Sequence, residues 1–212
     1  MALTQTVSAV RARLPFDRLG ALIALLAVIG IATPFVAFRA NRIVPGNAVA
    51  FWDALPAWEI FIAGVVLLAA AAIALLKVAP RFRLVISSAA LIALAVALGD
   101  AARLLTPAGD HISRTSPGTG FWVLAAAFTL MLADAVSRMH LRAVSRLVML
   151  AAVAAIVATI LWSGLWDDLS VLREYANRAD AFWREAGTHV ALAVGSLIAA
   201  VIVGLPLGIV CE

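Results

Sequence analysis

The sequence predicts an all-α fold: a polytopic membrane helix bundle of about six transmembrane helices, with both termini on the cytoplasmic side. Three observations predict it. First, 65% of the 212 residues are apolar, only 13% are charged, and the mean hydropathy is +1.07. Soluble domains run near half apolar and a quarter charged, and must turn much of their surface to water. Second, the apolar residues form long continuous runs rich in Ala and Leu. Those are strong helix formers, unlike the weakly alternating segments of membrane barrels, so strands are not expected. Third, the basic residues gather in the short connections between runs.

A bilayer core about 30 Å thick takes about 20 residues of helix. The first run is Leu19 to Phe38, with Pro34 placed to kink its outer end. It is too long for the 7–15-residue apolar core of a cleaved signal peptide. The second run is Ile60 to Val78, and the third is Leu84 to about Leu98, short unless Ala101 and Ala102 extend it past Asp100. The fourth is Gly120 to Ala135, the fifth Leu147 to about Leu165, and the sixth His189 to Val210.

Lys and Arg set the orientation. Arg11, Arg13 and Arg18 precede the first run; Lys77, Arg81 and Arg83 follow the second; Arg138, Arg142 and Arg146 follow the fourth. Asp17 is the single acid among them, and Asp134 closes the fourth run. The alternate connections mix arginines with most of the acids, from Asp53 to Glu185. The first set therefore belongs to the cytoplasm. Trp52, Trp58, Trp122, Trp162, Trp166 and Trp183 fall near helix ends or in the outer connections, where an apolar ring with one polar N–H suits the interface.

The outer connection 167–185 carries Leu169, Leu172, Ala176, Ala179 and Trp183 at spacings of three and four, which line one helical face. Asp167 or Asp168 can cap its start. It reads as an amphipathic helix lying on the outer surface or against the bundle, either a plain connector or a docking surface. In the last run, capped by Thr188, Ser196, Ala200, Gly204 and Gly208 repeat every four residues and allow close helix approach. Pro206 predicts a kink or break. The chain then ends at Cys211-Glu212, which reads as a truncated product. The domains are thus 1–166, a transmembrane region of five helices; 167–185, the connecting helix; and 186–212, a last transmembrane helix.

No chemistry-bearing constellation emerges. The net charge of +4 and pI near 10.5 reflect orientation signals, and no nucleic-acid partner is expected. Cys211 is alone, and His111, His140 and His189 are far apart, so no metal site is read. Asp100 and Asp134 have Arg103 and Arg138 three and four residues on, positions for local ion pairs; proton carriage is the sharper alternative. There is no GxxxxGK loop and no supported Ser-His-Asp set. No catalytic, cofactor-binding or metal residue is assigned, no cofactor is implied, and substrate-binding residues stay unknown.

Four segments nevertheless resemble one family: Asn41-Arg42-Ile43-Val44-Pro45-Gly46; Arg114-Thr115-Ser116-Pro117-Gly118-Thr119-Gly120-Phe121-Trp122; Asp168 through Arg178; and His189-Val190-Ala191-Leu192 through Gly204-Leu205-Pro206-Leu207-Gly208-Ile209. They resemble osmoprotectant-type (glycine betaine, choline) ABC transporter permeases, the subgroup with extra N-terminal spanning helices. The last segment looks like the opening of the permease domain. The resemblance implies a bacterial inner-membrane importer subunit, itself no enzyme. Its implied partners are the lipid bilayer, a cytoplasmic ATPase, a periplasmic substrate-binding protein and a second permease subunit. The family's coupling loop for the ATPase lies downstream of the first permease helix and is absent from this chain. The competing reading is a membrane assembly or scaffold protein without transport.

Overall fold

The computed structural model describes residues 17–41, 43–107, 109–110 and 112–210. Arg11, Arg13, Arg42, His111, Cys211 and Glu212, named above, lie outside the described residues. The chain divides into two compact units, one ending at Leu169 and one beginning at Ser170.

The first unit is built on four helices, α1 (Arg18–Ala32), α3 (Ala57–Leu75), α4 (Pro80–Leu105) and α5 (Thr119–Arg138). Helix α1 packs on α3 and α5, and α4 packs on the same two from the other side. The buried faces follow the helical period and are lined with small residues. They are Gly20, Ile23, Ala27 and Gly30 on α1, and Ala63, Leu67, Ala70 and Ala74 on α3. On α4 the stripe is Arg83, Ser87, Ala90, Leu94 and Ala97, and on α5 it includes Gly120, Leu124, Ala127, Phe128, Met131 and Ala135. Lipid exerts no hydrophobic drive between helices, so close backbone approach through small residues supplies the contact. A Cβ on Gly20 would fall on the carbonyl oxygen of Ala74, and one on Gly120 would sit 2.5 Å from the oxygen of Gly30. The outward faces, such as Leu25, Val28, Phe61, Leu68 and Val85, are exposed, as lipid-facing residues are.

The third run does extend past Asp100, as α4 has 26 residues. The first run does not reach Phe38. Helix α1 has only 15 residues and stops at Thr33, which is extended (φ −103°, ψ 159°). Pro34 disfavours helical geometry in the residue before it, so it ends the helix rather than kinking it. At about 1.5 Å per residue, α1 is some 22 Å long, short of the apolar thickness. The unwound chain beyond it is shielded: Phe35 and Val36 are fully buried. Its polar backbone is also paired, Phe35 N donating to Val49 O at 2.9 Å and Pro34 O accepting from Gly120 N at 2.8 Å. Irregular backbone at membrane depth is tolerated only when buried in protein in this way.

That unwound segment opens a small sheet, a departure from the expectation of no strands. Strand β1 (Val36–Arg39) is central, between β2 (Asn47–Val49) and β3 (Arg114–Pro117), all antiparallel. Short helix α2 (Phe51–Ala54) follows β2, and Phe35 meets Phe51 and Phe121 edge-on at 5.1 and 6.0 Å. The sheet closes one end of the four-helix core; the basic residues lie at the other. Helix α6 (Ala143–Trp162) has no buried residue. An apolar cavity of about 200 Å³ separates Ile156 and Ile160 from Leu91, Ala95 and Leu132. Beyond it, the loop 163–169 returns to the core: Trp166 Nε1 donates to Ala95 O at 2.8 Å, and Leu169 bridges to Thr115.

The second unit is one helix, α7 (Ser170–Val210), 41 residues long. The separate start expected at His189 is not there. Thr188 lies within the helix and its hydroxyl donates to Arg184 O at 3.0 Å. Pro206 does not break it. At 1.5 Å per residue α7 is about 61 Å long, twice the apolar thickness. The polar half over 170–188 thus continues directly into the apolar half as one helix. Neither α6 nor α7 buries a residue, yet both are long and apolar enough to cross a bilayer, like α3, α4 and α5. The chain is a multi-pass, all-α membrane helix bundle.

Candidate functional site

Two constellations stand at opposite ends of the first unit. At the basic end, Asp17 caps α1, its Oδ1 accepting from Leu19 N at 3.1 Å. Its Oδ2 accepts from Arg83 Nη1 at 2.5 Å and Arg138 Nη2 at 3.0 Å. Arg83 reaches back to Ala74 O at 3.4 Å, and its Nη1 lies 3.7 Å from Asp134 Oδ2. Asp134 Oδ1 accepts from Arg138 Nε at 2.8 Å. One network of alternating charge therefore ties together α1, α3, α4 and α5.

Arg83 is 1% exposed, Asp17 and Asp134 are each 12% exposed, and Arg138 is half exposed. Burial acts to raise the Asp17 pKa, but the hydrogen bond and charge of Arg83, the Leu19 N–H and the charge of Arg138 outweigh it. Its carboxyl is held below the usual carboxylate value and stays ionised. The network contains no nucleophile and no open coordination site. What it can do is hold four helix ends in register.

By sequence, Arg83 falls in a connection, as an orientation signal. It belongs instead to the buried stripe of α4, in phase with Ser87, Ala90 and Leu94. The available signal was Asp17, an isolated acid in a basic segment. The expected Asp134–Arg138 pair forms and is part of this network. Among the described residues no ion pair joins Asp100 to Arg103. Asp100 instead lines a cavity of about 190 Å³ with Trp58 and Glu59 from α3, and Glu59 Oε2 is shielded from solvent without a hydrogen-bond partner.

At the sheet end, the first two segments that carry the family resemblance meet the start of the third. Asn41 Oδ1 accepts from Ile43 N and Val44 N at 2.9 and 2.8 Å, forming the Asx turn between β1 and β2. Arg114 to Pro117 form β3, with Arg114 Nη1 donating to its neighbouring carbonyl Ser113 O at 2.8 Å. Gly118 N donates to Phe35 O at 2.8 Å, joining the second segment to the unwound end of α1. Asp168 and Leu169 open the third segment, and the bridge from Leu169 to Thr115, both buried, fixes them to the same sheet. These residues are thus architectural: they build a cap at the sheet end of the first unit. The fourth segment lies on α7, where a Cβ on Gly195, Gly204 or Gly208 would meet no atom within 4 Å.

A family model described as ABC transporter permease YehY, N-terminal domain, matches residues 17–172. No curated protein and no solved structure matches the chain.

Proposed function

Since this chain belongs to the family of the ABC transporter permease YehY N-terminal domain, we propose that it is the membrane-spanning part of an importer for glycine betaine-like osmoprotectants in a bacterial inner membrane. The observation that carries the permease reading is the match itself, which covers the first unit from Asp17 onward and runs into the start of α7. In this reading the first unit is a scaffold beside the translocation pathway. The apolar half of α7 is the first helix of the permease domain. Its repeat of Ser196, Ala200, Gly204 and Gly208 supports this, because a stripe without side-chain bulk suits tight packing against further helices.

The chain's own groups then do no covalent chemistry. A cytoplasmic ATPase hydrolyses ATP, a periplasmic binding protein delivers the solute to the sheet end, and a second permease subunit completes the pathway. Orientation follows from the arginines, which put the Asp17–Arg83–Asp134–Arg138 network at the cytoplasmic face. The substrate class rests on the resemblance of the four segments quoted above.

The test is uptake of radiolabelled glycine betaine in cells with the locus intact, deleted and restored. Uptake lost on deletion and regained on restoration is the expected outcome. Equal uptake in all three strains across a range of osmolarities removes the substrate assignment. Capture of an ATPase with the tagged chain tests the permease role separately from the solute.

A further inference from the structure

The basic end holds more than the ion-pair network. A polar cleft of about 460 Å³ opens there, lined among the described residues by Asp17, Arg18, Lys77, Val78, Arg83 and Arg138. Four cations face one carboxylate, and Asp134 behind them leaves a positive excess. Arg83 lines the cleft while almost wholly buried, and its Nε donates to no protein acceptor. Helix α1 begins at Arg18, in the lining of the cleft, adding the partial positive charge of that helix end.

We propose that this cleft binds a phosphate oxyanion, namely the headgroup phosphate of an anionic phospholipid in the leaflet at the basic end. The oxyanion chemistry alone is shared with free inorganic phosphate. Position favours the lipid: the cleft lies where the apolar stretches of α1, α3 and α5 give way to basic residues, the depth of a headgroup layer. Val78 in the lining suits the glycerol end of a lipid better than a free ion. A basic pocket between transmembrane helices is a recurrent way to hold such headgroups. The bound phosphate neutralises the excess charge and braces the network from outside. This holds whichever solute the permease carries.

The experiment uses the full chain in detergent, titrated with phosphatidylglycerol or phosphatidylcholine and read by native mass spectrometry and by melting temperature. Phosphatidylglycerol is expected to bind and raise the melting temperature, and phosphatidylcholine to do neither. The double variant Arg18→Gln/Lys77→Gln, which leaves the network's own arginines in place, is expected to weaken phosphatidylglycerol binding by roughly 25-fold, about fivefold per cation. Arg142→Gln/Arg146→Gln removes equal charge from the same end outside the cleft and is expected to change binding less than about twofold. Equal losses in the two double variants, or equal binding of the two lipids, overturn the proposal. A third arm adds inorganic phosphate alone. Stabilisation by phosphate matching that by phosphatidylglycerol, and absent in Arg18→Gln/Lys77→Gln, assigns the cleft to a soluble anion and overturns the lipid source.

Discussion

Arg83 is the residue on which the basic end depends, because it is charged, almost fully buried and shared by two carboxylates. Removing one member of a buried ion pair strands the others, which costs roughly 3–5 kcal/mol. Arg83→Met should therefore lower the stability of the detergent-solubilised protein by about that amount, read from thermal unfolding followed by circular dichroism. Arg138 is half exposed, and water screens its pairs, so Arg138→Gln should lose only up to about 1 kcal/mol. If the two variants melt together, burial is not what gives the network its strength. Asp17 adds a pH signature. Its folded-state pKa is depressed by Arg83 despite burial, so its stabilisation is fully present above the unfolded value near 3.9. That contribution is lost as pH falls through the lower folded value. Wild type should lose stability on acidification below about pH 4 more steeply than Asp17→Asn.

Among the elements, α1 and α7 follow opposite rules. Helix α1 buries a small-residue face against its neighbours, and the Gly30–Gly120 approach leaves no room for a methyl group. Gly120→Ala should destabilise the bundle by about 1–3 kcal/mol, the usual range for overpacking. Gly208 has open space around it, so Gly208→Leu should leave the melting temperature of the isolated chain nearly unchanged. Its effect should appear only on assembly, as weaker capture of permease partners, since a small-residue stripe serves close helix contact. A large loss of stability in the isolated chain would show that α7 is already packed there. The length of α7 also bears on mechanism. A 41-residue helix joins a polar half to an apolar half as one continuous backbone, so under the permease reading a displacement of the polar half would carry over to the apolar half.

For the whole molecule, the chain combines a closed four-helix core with two long helices that bury no residue. A chain that leaves that much α6 and α7 surface unpaired is arranged for a larger assembly or for lipid. The permease reading predicts that tagged chain expressed from its intact locus brings down an ATPase subunit. Deletion of the locus should abolish the corresponding solute uptake, glycine betaine being the first solute to measure. Capture of a membrane partner with uptake unchanged would favour the scaffold reading instead.

The helices α3, α4, α5 and α6 were legible in the sequence, since a backbone in hydrocarbon must satisfy its own hydrogen bonds and so long apolar runs become helices. The basic connections were legible for a related reason, as charge is confined to the membrane's edges. The small sheet was not. Its strands are three or four residues long, drawn from loops, and β1 pairs with β3 across the whole of α2, α3 and α4; nothing local announces such pairing. The early end of α1 was half visible, in Pro34, but whether unwound chain can sit at that depth depends on the burial of Phe35 and Val36 by distant elements. Arg83 is the sharpest case. Its partner Asp17 lies 66 residues away, so the sequence by itself determined that a charge stands at the head of α4. Only the tertiary structure decided that it turns inward, because an arginine is buried only where carboxylates from other helices come to meet it.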